Sequence, residues 1–127
     1  MSELNYVDNT INFKVMFKGI VIGLALLLLV SVIMALVFSL FAVIKLERVS
    51  NLLLITNYVI VIYIGIYVAR RINSNGWLNG GLCGLIYMGI ILVVGFVILP
   101  FSIVKMALIM ISGLIGGGLG GVIGINI

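Results

Sequence analysis

The feature that most constrains this chain is a run of 26 residues, Gly19 to Ile44, that carries no charged side chain and is closed at its ends by Lys18 and Lys45. About twenty apolar residues in a helix suffice to cross the hydrocarbon core of a bilayer, so this run crosses with tilt or overhang to spare. The rest of the chain does not dilute the signal: 65% of its residues are hydrophobic and 8% are charged. A water-soluble domain draws roughly a quarter of its residues from the charged types to cover its surface. The solvent around this chain is therefore lipid.

Lipid leaves few backbone solutions. A spanning segment must satisfy its own N–H and C=O groups, which an α-helix does internally and a closed barrel does between strands. A barrel would show segments of about ten residues with alternating polar positions, and the uniform apolar runs here lack that alternation. Three further runs follow the first: about 51–69, ending against Arg70 and Arg71; 77–99, stopping at Pro100; and 103–127, starting near Phe101 to Lys105. The reading is an all-α, polytopic membrane protein of four transmembrane helices in a glycine-rich bundle. Residues 1–127 form a single membrane domain, because any division would leave fragments of two helices.

The links between spans read from their polar residues. Residues 1–13 are polar and mixed. From Thr10 to Lys18 the pattern suits either an amphipathic interfacial turn or the ragged start of the first helix. Ser50 or Asn51 is expected to cap the second helix. Asn75–Gly76 favours the positive φ of a tight reversal, and Trp77 just beyond it suits the headgroup layer. The first eighteen residues hold two acids and precede an apolar run too long for a signal core, so no signal peptide is expected.

Seven bases against three acids give a net charge of +4. The bases flank the apolar runs, where Lys18, Lys45, Arg70, Arg71 and Lys105, together with Trp77, read as interface anchors reaching lipid headgroups. They are too scattered to form a nucleic-acid groove, so membrane lipid is the partner they imply. Four crossings put both termini on one side with Lys14, Lys18, Arg70 and Arg71, against Lys45, Arg48 and Lys105 on the other. Under the positive-inside rule this small excess favours cytoplasmic termini.

Chemistry has few handles. The chain has no His, Cys83 stands alone, and Glu47 is the one acid beyond the N-terminal tail. Paired-carboxylate catalysis, an activated thiol and a metal cluster all lack their parts, so no enzyme, cofactor or metal is expected. No ionisable group falls in the middle of a span, where coupled transporters usually keep one. Asn57, Tyr63 and Tyr67 of the second span remain as polar groups for bundle contacts or a pathway. The deeper Tyr63 hydroxyl needs a partner.

Glycine is the unusual component. Of sixteen glycines, seven lie between Gly113 and Gly124. Gly113, Gly117 and Gly121 recur every four residues, as do Gly116, Gly120 and Gly124, so two adjacent helix faces lack side chains and admit close helix approach. Gly80 and Gly84, and Gly19 and Gly23, repeat the spacing. The leading reading packs these faces within the protomer. A competing reading sends one face to another copy or a different membrane protein, and a third makes the Gly116–Gly118 region flexible or re-entrant.

Two stretches carry a resemblance: Ala69–Arg70–Arg71 with Asn75 to Gly80, Gly84 and Tyr87, and the ending from Gly116 through Gly120, Gly121 and Gly124 to Asn126. Together they resemble a small, functionally uncharacterised four-helix membrane-protein family of Gram-positive bacteria (Firmicutes). The resemblance implies a multi-pass protein of the bacterial plasma membrane and carries no catalytic residues with it. The expected function is that of a structural or accessory membrane protein, self-associating as a homo-oligomer or packing against a larger membrane partner. The alternative is a small oligomeric channel or transporter with its pathway between protomers.

Overall fold

A computed structural model describes residues 12–40, 46–72, 75–98 and 102–127. Expectations that fall on residues 1–11, on Lys45 and the adjoining end of the first span, on Asn73 and Ser74, and on Leu99 to Phe101 with Pro100 lie outside the described residues. The described chain forms four helices: α1 (Phe13–Leu40), α2 (Leu46–Arg71), α3 (Gly76–Ile98) and α4 (Ile103–Asn126). Each is long and apolar enough to cross a membrane.

Helix ends differ from the sequence reading at two places. α1 begins at Phe13, six residues before the uncharged run, so the Phe13–Lys18 segment is helix and not a separate interfacial turn. Asn12 sets this start: its Oδ1 accepts from the Val15 N–H at 3.4 Å and its carbonyl from the Met16 N–H at 3.1 Å. Lys14 and Lys18 then share one exposed face, from which long side chains reach the headgroups. α2 begins at Leu46, so Ser50 and Asn51 lie inside the helix and cap nothing. Nothing between Leu46 and Asn51 breaks a helix, since the stretch holds neither glycine nor proline.

α3 is entered through Asn75, whose φ of 49° is in the left-handed region. The positive φ expected of the Asn75–Gly76 pair thus falls on Asn75, which tolerates it better than most side-chain-bearing residues. Its carbonyl gathers the N–H groups of Leu78 and Asn79, each at 3.1 Å, and the Asn79 side-chain amide at 3.2 Å. α4 starts after an extended Ser102, whose carbonyl accepts from the Met106 N–H at 3.1 Å. It runs unbroken through Gly116, Gly117 and Gly118, so the re-entrant reading of this segment is overturned. In lipid an unwound backbone has no water to bond, which holds even a glycine-rich segment in the helix.

Neighbours in sequence run antiparallel. α2 and α3 stand between the other two helices: α1 packs on both, α4 packs on both from elsewhere, and α1 and α4 do not meet among the described residues. The core is polarised along the bundle. Met16 and Ile20 of α1, Ile60, Val61, Ile64 and Val68 of α2, and Cys83, Tyr87 and Met88 of α3 form it. All belong to the half of the bundle that holds the start of α1 and the end of α4. In the other half, nothing is buried in α1 beyond Gly23, in α2 from Arg48 to Val59, or in α4 before Gly113.

Candidate functional site

The glycines build the interior contacts. Along the α3–α4 seam, Gly76, Gly80 and Gly84 face Gly121, Gly117 and Gly113 in antiparallel order. A Cβ on Gly117 would strike the Gly80 carbonyl, one on Gly121 the Gly76 carbonyl, and one on Gly84 the Gly113 carbonyl. The second glycine face of α4 meets α2. A Cβ on Gly120 would strike the Ile62 carbonyl, one on Gly124 would lie 2.7 Å from the Ile66 oxygen, and one on Gly116 would lie 3.2 Å from Val61. Both faces therefore turn inward, and the reading that reserved one of them for another copy does not hold. Adjacent faces of a helix can serve two neighbours at once when two helices flank it.

Gly65 of α2 completes this interior, since a Cβ there would strike the Gly117 carbonyl and lie 3.0 Å from the Gly121 nitrogen. Three helix backbones converge at Gly65, Gly80, Gly117 and Gly121. The sequence reading missed Gly65 because it stands alone, without the four-residue echo that marked the others. Its one signal is a lone glycine within a run of β-branched and aromatic residues. On the far side, α1 fits Gly19 and Gly23 onto the side chains of Ile64 and Val68 of α2 and Cys83 and Tyr87 of α3.

The polar contacts pin helices together within this apolar frame. The buried Tyr87 donates its hydroxyl to Asn57 Oδ1 at 3.0 Å, joining α3 to α2, and the Asn57 amide points at the Met88 sulfur at 3.9 Å. Asn57 thus makes a contact within the bundle. Its partner Tyr87 had surfaced in the sequence only as part of a family resemblance. Cys83 is buried, and its thiol donates to the Met16 carbonyl at 3.5 Å, which ties α3 to α1. Asn79 is also fully buried. Ser112 donates to the Ile109 carbonyl of its own helix at 2.7 Å. Among the described residues no three His, Cys, Asp or Glu side chains converge on one point.

The remaining candidates face outward. Tyr63 is half exposed, and its hydroxyl finds no hydrogen-bond partner among the described residues, contrary to the expectation of a bundle contact. Arg70 and Arg71 end α2 exposed, with the Arg71 guanidinium 4.9 Å from the centre of the Tyr67 ring. Trp77 and Lys105 are exposed at the starts of α3 and α4, at opposite ends of the bundle.

Two apolar grooves open on the outer side of the α3–α4 seam. One, about 700 Å³, lies between the end of α3 and the start of α4, lined by Gly89, Val93, Val97, Met106 and Met110 among others. The other, about 340 Å³, is lined by Trp77, Gly81, Leu114, Gly118 and Val122 among others. Their floors contain glycines that interior packing does not require. A Cβ on Gly89 would meet nothing within 4 Å, and one on Gly118 would meet only the Trp77 carbonyl at an ordinary 3.7 Å.

Four spanning helices joined by close glycine contact, with no ionic side chain buried between them among the described residues, define a helical, multi-pass plasma-membrane protein. Over residues 12–124 the chain matches the model of a family described as "Protein of unknown function (DUF3792)", and it belongs to that family. The matched stretch takes in α1 to α3, all but the last two residues of α4, and both motifs noted above except Asn126. No curated protein and no solved structure matches the chain.

Proposed function

We infer that this protein is an accessory, non-enzymatic membrane component whose outer α3–α4 side receives a transmembrane helix, either from a second copy or from a larger membrane protein. The observation that carries the reading is the polarised core. One half of the bundle is closed by backbone-to-backbone contact, whereas in the other α1, α2 and α4 bury none of their described residues and the 700 Å³ groove floored by Gly89 opens. Small residues at a membrane helix surface allow close approach of another helix, and here they stand where the fold itself has no use for them.

A pathway between protomers is the weaker reading. It would draw Asn57, Tyr63 and Tyr67 onto one wall, yet Asn57 is turned inward to Tyr87 while Tyr63 faces out. The charge bias and the resemblance together favour the plasma membrane of a Gram-positive bacterium, with cytoplasmic termini.

The test is native mass measurement of the full chain from nanodiscs, for the wild type and for Gly89→Leu and Gly118→Leu. The wild type is expected to carry a second copy or a co-purifying membrane protein, and both variants are expected to stay folded and lose it. A wild type that is a lone protomer, or variants that stay fully assembled, would refute docking at this seam.

A further inference from the structure

We propose that the end of α2 carries a binding site for one anionic phospholipid, its phosphate held by Arg70 and Arg71 and its glycerol region by Tyr63. Tyr63, Tyr67 and Arg71 stand four residues apart, as do Ile66 and Arg70, so the five share one face of α2. They line a recess of about 230 Å³ at the headgroup end of the span. Arg70 also lines a second recess between the ends of α2 and α4, with Ala69, Gly124 and Ile125, so it stands between two hollows.

Three observations select the ligand. First, both guanidiniums stand exposed at the end of α2, two fixed positive charges on neighbouring positions. Arginine's planar fork matches phosphate oxygens two at a time, which lysine cannot do. Second, Arg71 stacks on the Tyr67 ring at 4.9 Å, which holds its guanidinium in one orientation before any ligand arrives. Third, Tyr63 lies seven residues before Arg70, about 10 Å deeper in the bilayer at about 1.5 Å per residue. Its hydroxyl has no hydrogen-bond partner among the described residues, and the ester carbonyls below a phospholipid's phosphate are acceptors for it. A free phosphate would satisfy the arginines and leave Tyr63 unserved.

A built site differs from general headgroup attraction in a way that can be measured. Lys14 and Lys18 are exposed at the same end of the bundle and carry the same total charge. The full chain is placed in nanodiscs containing phosphatidylglycerol and phosphatidylcholine, and retained lipid is counted by native mass measurement. A parallel sample in lipid-free detergent receives inorganic phosphate. The wild type is expected to retain one phosphatidylglycerol in preference to phosphatidylcholine. Arg70→Gln/Arg71→Gln should weaken that retention roughly 30-fold, through the charge-assisted hydrogen bonds from guanidinium to phosphate that are lost. Lys14→Gln/Lys18→Gln should change it less than about threefold, since only general attraction is lost. Tyr63→Phe, which keeps the ring and every charge, should weaken it about threefold to tenfold through the lost hydrogen bond. Equal losses from the lysine and arginine pairs, no preference between the two lipids, or a phosphate adduct with Tyr63→Phe silent would each overturn the proposal.

Discussion

Replacing one glycine with alanine should separate interior contact from groove lining. A Cβ on Gly117 would overlap the Gly80 carbonyl oxygen and lie 3.0 Å from the Gly84 Cα, whereas a Cβ on Gly89 would meet nothing within 4 Å. Relieving the overlap moves α3 and α4 apart by about 0.5–1 Å, which forfeits about a quarter to a half of each atom pair's attraction of about 0.1–0.2 kcal/mol. If the seam carries as many such pairs as a buried leucine, about 40–60, the loss is about 2 kcal/mol, in line with the usual cost of overpacking. Alanine returns up to about 1 kcal/mol through its better helix propensity. Gly117→Ala is therefore expected to lose about 1–2 kcal/mol net, and Gly89→Ala to be neutral or slightly stabilised. Unfolding in mixed micelles by a denaturing detergent, followed through the fluorescence of the sole tryptophan, Trp77, reads both. Trp77 is a suitable probe because its backbone lies at the seam beside Gly118 and Gly121. Equal unfolding of the two variants would refute the claim that close glycine contact stabilises this helix pair.

Tyr87→Phe removes the hydroxyl that joins α3 to Asn57 without opening a cavity, and should cost about 0.6 kcal/mol and at most about 1.7, the range for such bonds between membrane helices. A double-mutant cycle with Asn57→Leu checks this, and strict additivity would show that the pair is not coupled. For topology, single cysteines introduced at Asn12 and Asn75 in a Cys83→Ser background should react from one side of the membrane. Those introduced at Ser50 and Ser102 should react from the other. Labelling of Asn75 and Ser50 positions from the same side would break the four-span arrangement.

The number and placement of the helices were legible in the sequence because lipid reduces the problem to length and charge. An uncharged run of 26 residues between lysines admits one backbone solution, whatever its neighbours do. The start of α2 was less legible, since Ser50 and Asn51 can cap a helix or lie within one, and the choice rests on what precedes them. The four-residue glycine spacing likewise announced two bare faces on α4, because helix geometry alone puts such residues in line. What they touch was not local information. The sequence allowed both faces to pack within the protomer or one to meet a partner, whereas tertiary packing sets α4 against α2 and α3 together and uses both. Gly65 became meaningful only there, as a single residue opposite the Gly117 carbonyl. The Tyr87–Asn57 bond spans thirty positions, and no periodicity connects its two ends. A nearly uniform apolar sequence specifies that its helices lie in the membrane, since every face is acceptable to lipid. Which faces meet is decided by shape, through the few places where backbones can approach or a buried polar atom finds its complement.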